Sequence, residues 1–133
     1  MRKIIFKALT EDPTLASLLP AEKWFERGAV KDSPVTPFAV LAWAGVTANG
    51  RGRTGLPRLT LWVYEHRGSY ELIDKVLRRA TEVLEALEET HQEDDPSQFV
   101  IQADFEGSSV DLYDDVYRCN TRNAGYRVIG SGL

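Results

Sequence analysis

The stretch from Ser69 to Thr90 constrains the fold more than any other. Ile73, Val76, Leu77, Ala80, Val83, Leu84 and Leu87 recur at steps of three and four, which places all seven on one stripe of an α-helix. Asp74, Lys75, Arg78, Arg79, Glu82, Glu85 and Glu89 fall on the other side. Ser69 suits the N-cap, because its hydroxyl can accept from an amide two or three residues on. At 1.5 Å per residue the helix would run roughly 30 Å. A helix of that length with one apolar side needs a flat apolar partner, and the segments before and after it have strand composition.

Phe38 to Ala44 carries no charge, as expected of a strand covered on both faces. Pro57 to Arg67 alternates, with Leu59, Leu61 and Val63 on one side and Thr60, Trp62 and Tyr64 on the other. These two strands form the simplest hairpin across a loop at Gly45 to Leu56. Lys23 to Arg27 reads as a short strand, and Gly28 to Pro37, with Gly, Ser and two prolines, reads as a loop. Upstream, Ile4, Ile5, Ala8 and Leu9 suit an amphipathic helix. Asp12 as N-cap and Pro13 as first helical residue restart it through Leu15, Leu18 and Leu19, and Pro20 stops it. Past the long helix, Glu93 to Pro96 is a charged break. Gln98 to Phe105 then alternates with Phe99, Ile101, Ala103 and Phe105 on one face. Val110 to Tyr117 and Thr121 to Ile129 read as further strands. The expected architecture is α+β: a mixed or mainly antiparallel sheet of four to five strands, with an N-terminal helix and one long helix packed on one face, in a single domain spanning residues 1–133.

Composition excludes several classes. A chain of 133 residues has room for one core. The net charge of −4 argues against a general nucleic-acid binder. A single cysteine, Cys119, makes no internal disulfide. No apolar run approaches the ~20 residues of a membrane span, and Lys7 ends the N-terminal apolar run too early for a signal peptide.

Candidate motifs resolve mostly to structural readings. Gly50 to Gly55 matches G-x-G-x-x-G, but a strand follows it where a nucleotide fingerprint needs a helix, and no Gly-Lys-Ser/Thr is present. The loop reads instead as an arm, with Arg51 and Arg53 placed to meet carboxylates or phosphates on a neighbour. Asp104, Glu106, Asp111, Asp114 and Asp115 lack EF-hand spacing and read as hydrated surface carboxylates. His66 and His91 lie at opposite ends of the long helix with no cysteine near either in sequence, too few ligands for zinc. Arg118 beside Cys119 can lower a thiol pKa, but the sequence places no base nearby, and a small residue in a strand is the plainer reading. No catalytic constellation, metal or cofactor is expected. Trp62 and Tyr64 share a face opposite the aliphatic one, and a subunit partner is one cover for it. On the long helix, Lys75, Arg78 and Arg79 come early and Glu82, Glu85, Glu88 and Glu89 come late. That order opposes the helix dipole and suits contact with an oppositely charged end of a neighbour. Arg51, Arg53, Trp62, Tyr64, Arg78, Arg79, Glu85 and Glu89 are therefore the candidate subunit or partner contacts.

The C-terminal stretch from Phe105 to Gly130 resembles the end of tail terminator (tail completion) proteins of long-tailed bacteriophages. Asp111 to Asp114 matches their Asp-x-Tyr-Asp phrase, and Tyr126 to Val128 their strand ending in Tyr-Arg-Val. Leu9 to Leu15 matches the Leu-x-x-Asp-x-x-Leu phrase of their first helix. The proline-flanked strand, the hairpin and a helix like 69–90 follow in the family's order, while the Arg/Gly loop at 45–56 has no counterpart in the pattern. The resemblance implies a structural virion protein and no enzyme. It implies a hexameric ring that caps the tail tube and docks it to the head connector, in the tail or neck of a virion assembled in a host cytoplasm. Genome DNA would pass through without specific binding, which suits an acidic protein. Another neck or head-completion protein, and a small ligand-binding domain or enzyme with a pocket between helix 69–90 and the sheet, are the alternative readings.

Overall fold

The computed structural model describes residues 1–30, 34–44 and 57–131. Two helices open it, α1 (Arg2–Thr10) and α2 (Pro13–Leu18). Asp12 is the N-cap of α2, with its carboxylate accepting from Leu15 N at 3.0 Å, and Pro13 stands at the first turn where its missing N–H costs nothing. Strands β1 (Trp24–Glu26), β2 (Phe38–Ala44) and β3 (Arg58–Glu65) follow, then α3 (Glu71–Glu85), then β4 (Thr90–Gln92), β5 (Asp95–Ser108), β6 (Leu112–Asp114) and β7 (Cys119–Ser131). No described helix is long and apolar enough to cross a membrane.

The strands form one seven-stranded sheet in the order β1-β2-β3-β7-β5-β4, with β6 also on β7. Only β1 and β2 run parallel among its pairs. β3 and β5 are both antiparallel to β7 and so parallel to each other, which makes α3 the crossover between them. The fold is therefore α+β with a mixed sheet, of more strands than expected. The four long strands all fall on segments that read as strands, β2 from its uncharged run and β3 and β5 from alternation. Of the three-residue strands, β1 and β6 lie within 23–27 and 110–117, which read as strands, while β4 is the one not foreseen, too short to show a period. The expected strand over 110–117 shrinks to Leu112–Asp114, because residues 115–118 form the turn into β7.

The long helix is shorter than its apolar stripe. It stops at Glu85, and Thr90, the last residue of the expected helix, instead opens a strand, Thr90–Gln92, that pairs with Val100, Phe99 and Asp95 of β5. The last turn holds no basic residue, and the run Glu85, Glu88, Glu89 sits where the carbonyl end of a helix disfavours negative charge. Tyr70, not Ser69, takes the N-cap position, while the Ser69 hydroxyl accepts from Glu71 N at 3.3 Å.

All three helices cover one face of the sheet. Ile5, Leu9, Leu15 and Leu19 meet Ile73, Val76, Ala80 and Leu84 over Leu41, Leu59, Leu61, Val63, Ala124, Tyr126 and Val128, each fully buried. Each large aliphatic side chain buried this way contributes about 1.5–3 kcal/mol relative to exposure. β5 joins this core irregularly. Its pairing with β7 shifts between Val100 and Gln102, so Val100 and Ala103 both face inward and Ile101 is 44% exposed. The strict alternation of Phe99, Ile101, Ala103 and Phe105 is thus broken by a β-bulge, which re-aims the residues on either side of it.

Candidate interaction surface

Two surfaces outside the helical core have the character of contact sites. The first is the opposite face of the sheet. Alternation along β2 and β3 sends Phe38, Val40, Trp62 and Tyr64 there. Phe38 stacks on Tyr64 with ring centroids 4.6 Å apart, and Tyr117, from the turn before β7, meets both edge-on at 5.2 and 5.3 Å. Phe25 of β1 closes the other side at 6.3 Å from Phe38. Tyr64 is consequently buried, and burial pushes its hydroxyl up to about 12. The chain itself thus supplies part of the cover that this face was expected to seek from a subunit. Trp62 stays half-buried beside Tyr64, at 6.4 Å.

The second surface is a hollow of about 310 Å³ between α3 and the sheet, lined by Asp74, Leu77, Arg78 and Thr81 of the helix and by Phe105, Ser108, Arg122 and Ala124 of the strands. One end is polar and satisfied. Arg122 donates to Asp74, to the Ser109 carbonyl at 3.0 Å and toward Asp111 at 3.6 Å. Thr81, on its lining, shares a hydroxyl hydrogen bond of 2.8 Å with the buried Tyr126. Phe105 leans on Tyr126 at 5.9 Å and is 42% exposed. Two further hollows flank α1, one against β4 with Lys7, Leu87 and His91, the other with Arg2, Phe6 and Glu26.

The predicted contact residues are dispersed over the molecule. Arg51 and Arg53 lie outside the described residues. Trp62 and Tyr64 belong to the aromatic face, Arg78 to the rim of the α3 hollow. Arg79 is held inside the chain by Asp12 and Glu82. Glu85 is the last residue of α3, and Glu89, beyond the helix, accepts from His91 at 2.9 Å. Asp74, Phe105 and Arg122, which the sequence reading left out, complete the hollow. Only the half-exposed aromatic within an alternating strand could have signalled it. The five carboxylates at 104–115 disperse too. Asp104 pairs with Arg127 at 3.5 Å, Glu106 with Arg58 at 3.4 Å, and Asp114 accepts from Tyr117 N at 2.7 Å. Among the described residues no group of three or more His, Cys, Asp or Glu is placed to hold a metal ion. Cys119 is 1% exposed, and burial together with Asp114 pushes its thiol up to about 11, the reverse of an activated nucleophile.

The chain thus has a small α+β fold, a mixed sheet backed on one face by helices. No family model and no curated protein matches the chain. Among solved structures, a chain of the virion of native gene transfer agent (GTA) particle has the same fold, with a TM-score of 0.68 over 96% of this chain and 92% of that chain at 11% sequence identity. At that identity the likeness is one of fold.

Proposed function

We propose that the chain is a structural virion protein, a tail terminator whose copies form a ring, taken as a hexamer, that caps the tail tube and joins it to the head connector. The observation that carries this reading is the fold shared with a virion chain along almost the full length of both. The phrases behind the family resemblance fit it, since they fall on residues that build the fold. Leu9, Leu15, Tyr126 and Val128 are fully buried, and Asp12 caps α2 while pairing with α3. The role is mechanical and needs no catalyst, cofactor or membrane. The partners are further copies, the tail tube protein and the connector, and DNA passes through without specific contact.

Negative-stain microscopy of the purified protein tests the reading. Rings with a central hole support it, and a strict monomer at high concentration removes its support. Capture by immobilised tail-tube subunits and by connector separates a terminator, which binds both, from another neck or head-completion protein, which leaves the tube unbound. Replacing Arg51 and Arg53 by Glu is expected to weaken capture and leave folding intact, as required of an arm that meets a neighbour's carboxylates.

A further inference from the structure

The sheet has an edge half covered by its own chain. β4 pairs with β5 only over residues 95–100. From Ile101 to Ser108, β5 is bonded on one side by β7, and among the described residues no strand lies on the other. An open edge of that length is a template for another strand unless charge or twist blocks it. The two half-exposed large apolar residues of β5, Ile101 and Phe105, both lie in the open stretch. Phe105 also forms the mouth of the α3 hollow. Arg78 stands on the same rim, exposed, with no ion-pair partner among the described residues.

We propose that the open half of β5 is a docking edge for an extended segment of a different protein. That segment adds a strand to the sheet, seats an apolar side chain against Phe105, Leu77 and Ala124, and sets a carboxylate on Arg78. Main-chain hydrogen bonds supply affinity in this mode, and the alternate side chains supply choice. The charges along this edge disfavour a second copy. Antiparallel pairing of β5 with itself centred on Phe105 sets Asp104 of each copy opposite Glu106 of the other, and like charges there repel. The other end of the sheet, β1, offers three residues against this longer open stretch. The proposal does not depend on ring formation, because it is read on the purified protein alone.

The test uses two synthetic peptides of alternating Val and Thr, each with a central Phe and a Glu two residues on, so that both side chains fall on the α3 face. One is unmodified. The other is N-methylated at alternate residues, so it keeps its side chains and loses the hydrogen bonds of one edge. Fluorescence anisotropy is expected to show saturable binding of the first peptide, with the second weaker by about tenfold or more. Arg78→Glu, an exposed change whose folding is checked by circular dichroism, is expected to weaken the first peptide by about tenfold, and a Glu-to-Lys peptide to recover the loss. Amide exchange is expected to slow within residues 101–108 on binding. Equal binding of both peptides, no saturation up to about 1 mM, or protection confined to β1 or β4 overturns the proposal. Self-association that protects 101–108 without peptide overturns it as well, by giving the edge to a second copy.

Discussion

Arg79 of α3 grips Asp12 of the α1–α2 junction with two prongs, Nη2 to Oδ1 at 2.8 Å and Nε to Oδ2 at 3.0 Å. The same carboxylate caps α2 through Leu15 N, so one side chain both ends the helix's unpaired amides and fastens the N-terminal helices to the crossover helix. A planar guanidinium fork against a carboxylate is the geometry in which such a pair is strongest. Both partners respond: the guanidinium holds the Asp12 carboxyl below its ordinary value, and the carboxylates of Asp12 and Glu82 hold Arg79 more firmly protonated.

Asp12→Ala removes cap and pair together and is expected to cost about 2–4 kcal/mol. Arg79→Met leaves the cap in place and costs less. Urea midpoints of the two single variants and the double variant give the coupling, and the two single losses are expected to sum to more than the loss in the double variant. Because the Asp12 pKa is lowered by folding, its contribution is present above the ordinary value of 3.8 and is lost as pH falls through the folded value. The stability gap between the native protein and Asp12→Ala should therefore narrow below pH 3.8.

His91 on β4 meets the Pro96 carbonyl at 2.8 Å and Glu89 at 2.9 Å, and these two contacts, the carbonyl first, raise its pKa above the ordinary 6.5. A raised value means the contribution is full below 6.5 and fades as pH rises through the folded pKa. An NMR titration of the ring protons should show a midpoint above 6.5, and Glu89→Gln should lower it only in part, because the carbonyl remains.

Cys119 should ignore a thiol reagent such as Ellman's reagent in the folded protein at pH 8 and react fully in denaturant. Fast reaction of the folded form would contradict its burial and its raised pKa of about 11.

Gly130 of β7 pairs with Val100 of β5 beside the bulge, and a Cβ there would stand 2.1 Å from the Phe99 carbonyl oxygen. Gly130→Ala must push two strand backbones apart and is expected to cost about 2 kcal/mol or more by thermal melting. Ser131→Ala, one residue on and exposed, is the control and should be neutral.

The long strands were legible in the sequence because each repeats an apolar signal over many residues. Phe38–Ala44 emerges with the predicted bounds, and Asp12–Pro13 marks a helix start that the structure keeps. Legibility ended where pairing overrode local pattern. The expected helix ran to Thr90, yet the chain leaves the helix after Glu85 and β5 captures Thr90–Gln92 as a strand. A bulge at Ile101 is invisible in one strand read alone, since it is defined against the partner. A pocket between helix 69–90 and the sheet was among the alternative readings, but its residues were hidden for the same reason: Asp74, Phe105 and Arg122 are separated by tens of residues and meet only through the sheet register. The aromatic face was half legible. Its residues on β3 were plain, but Tyr117, its lid, sits in a turn.

Strand β7 bonds to β3, β5 and β6, and every one of them precedes it in the chain. During synthesis β3 and β5 therefore exist for a time with a gap between them as wide as a strand. The hairpin β2–β3 and the helices can form early, while the two halves of the sheet wait for the last long segment to be inserted. That order makes assembly a late, non-local event with exposed edges in the interim. A nascent chain stalled before residue 119 should be the most aggregation-prone length of this protein.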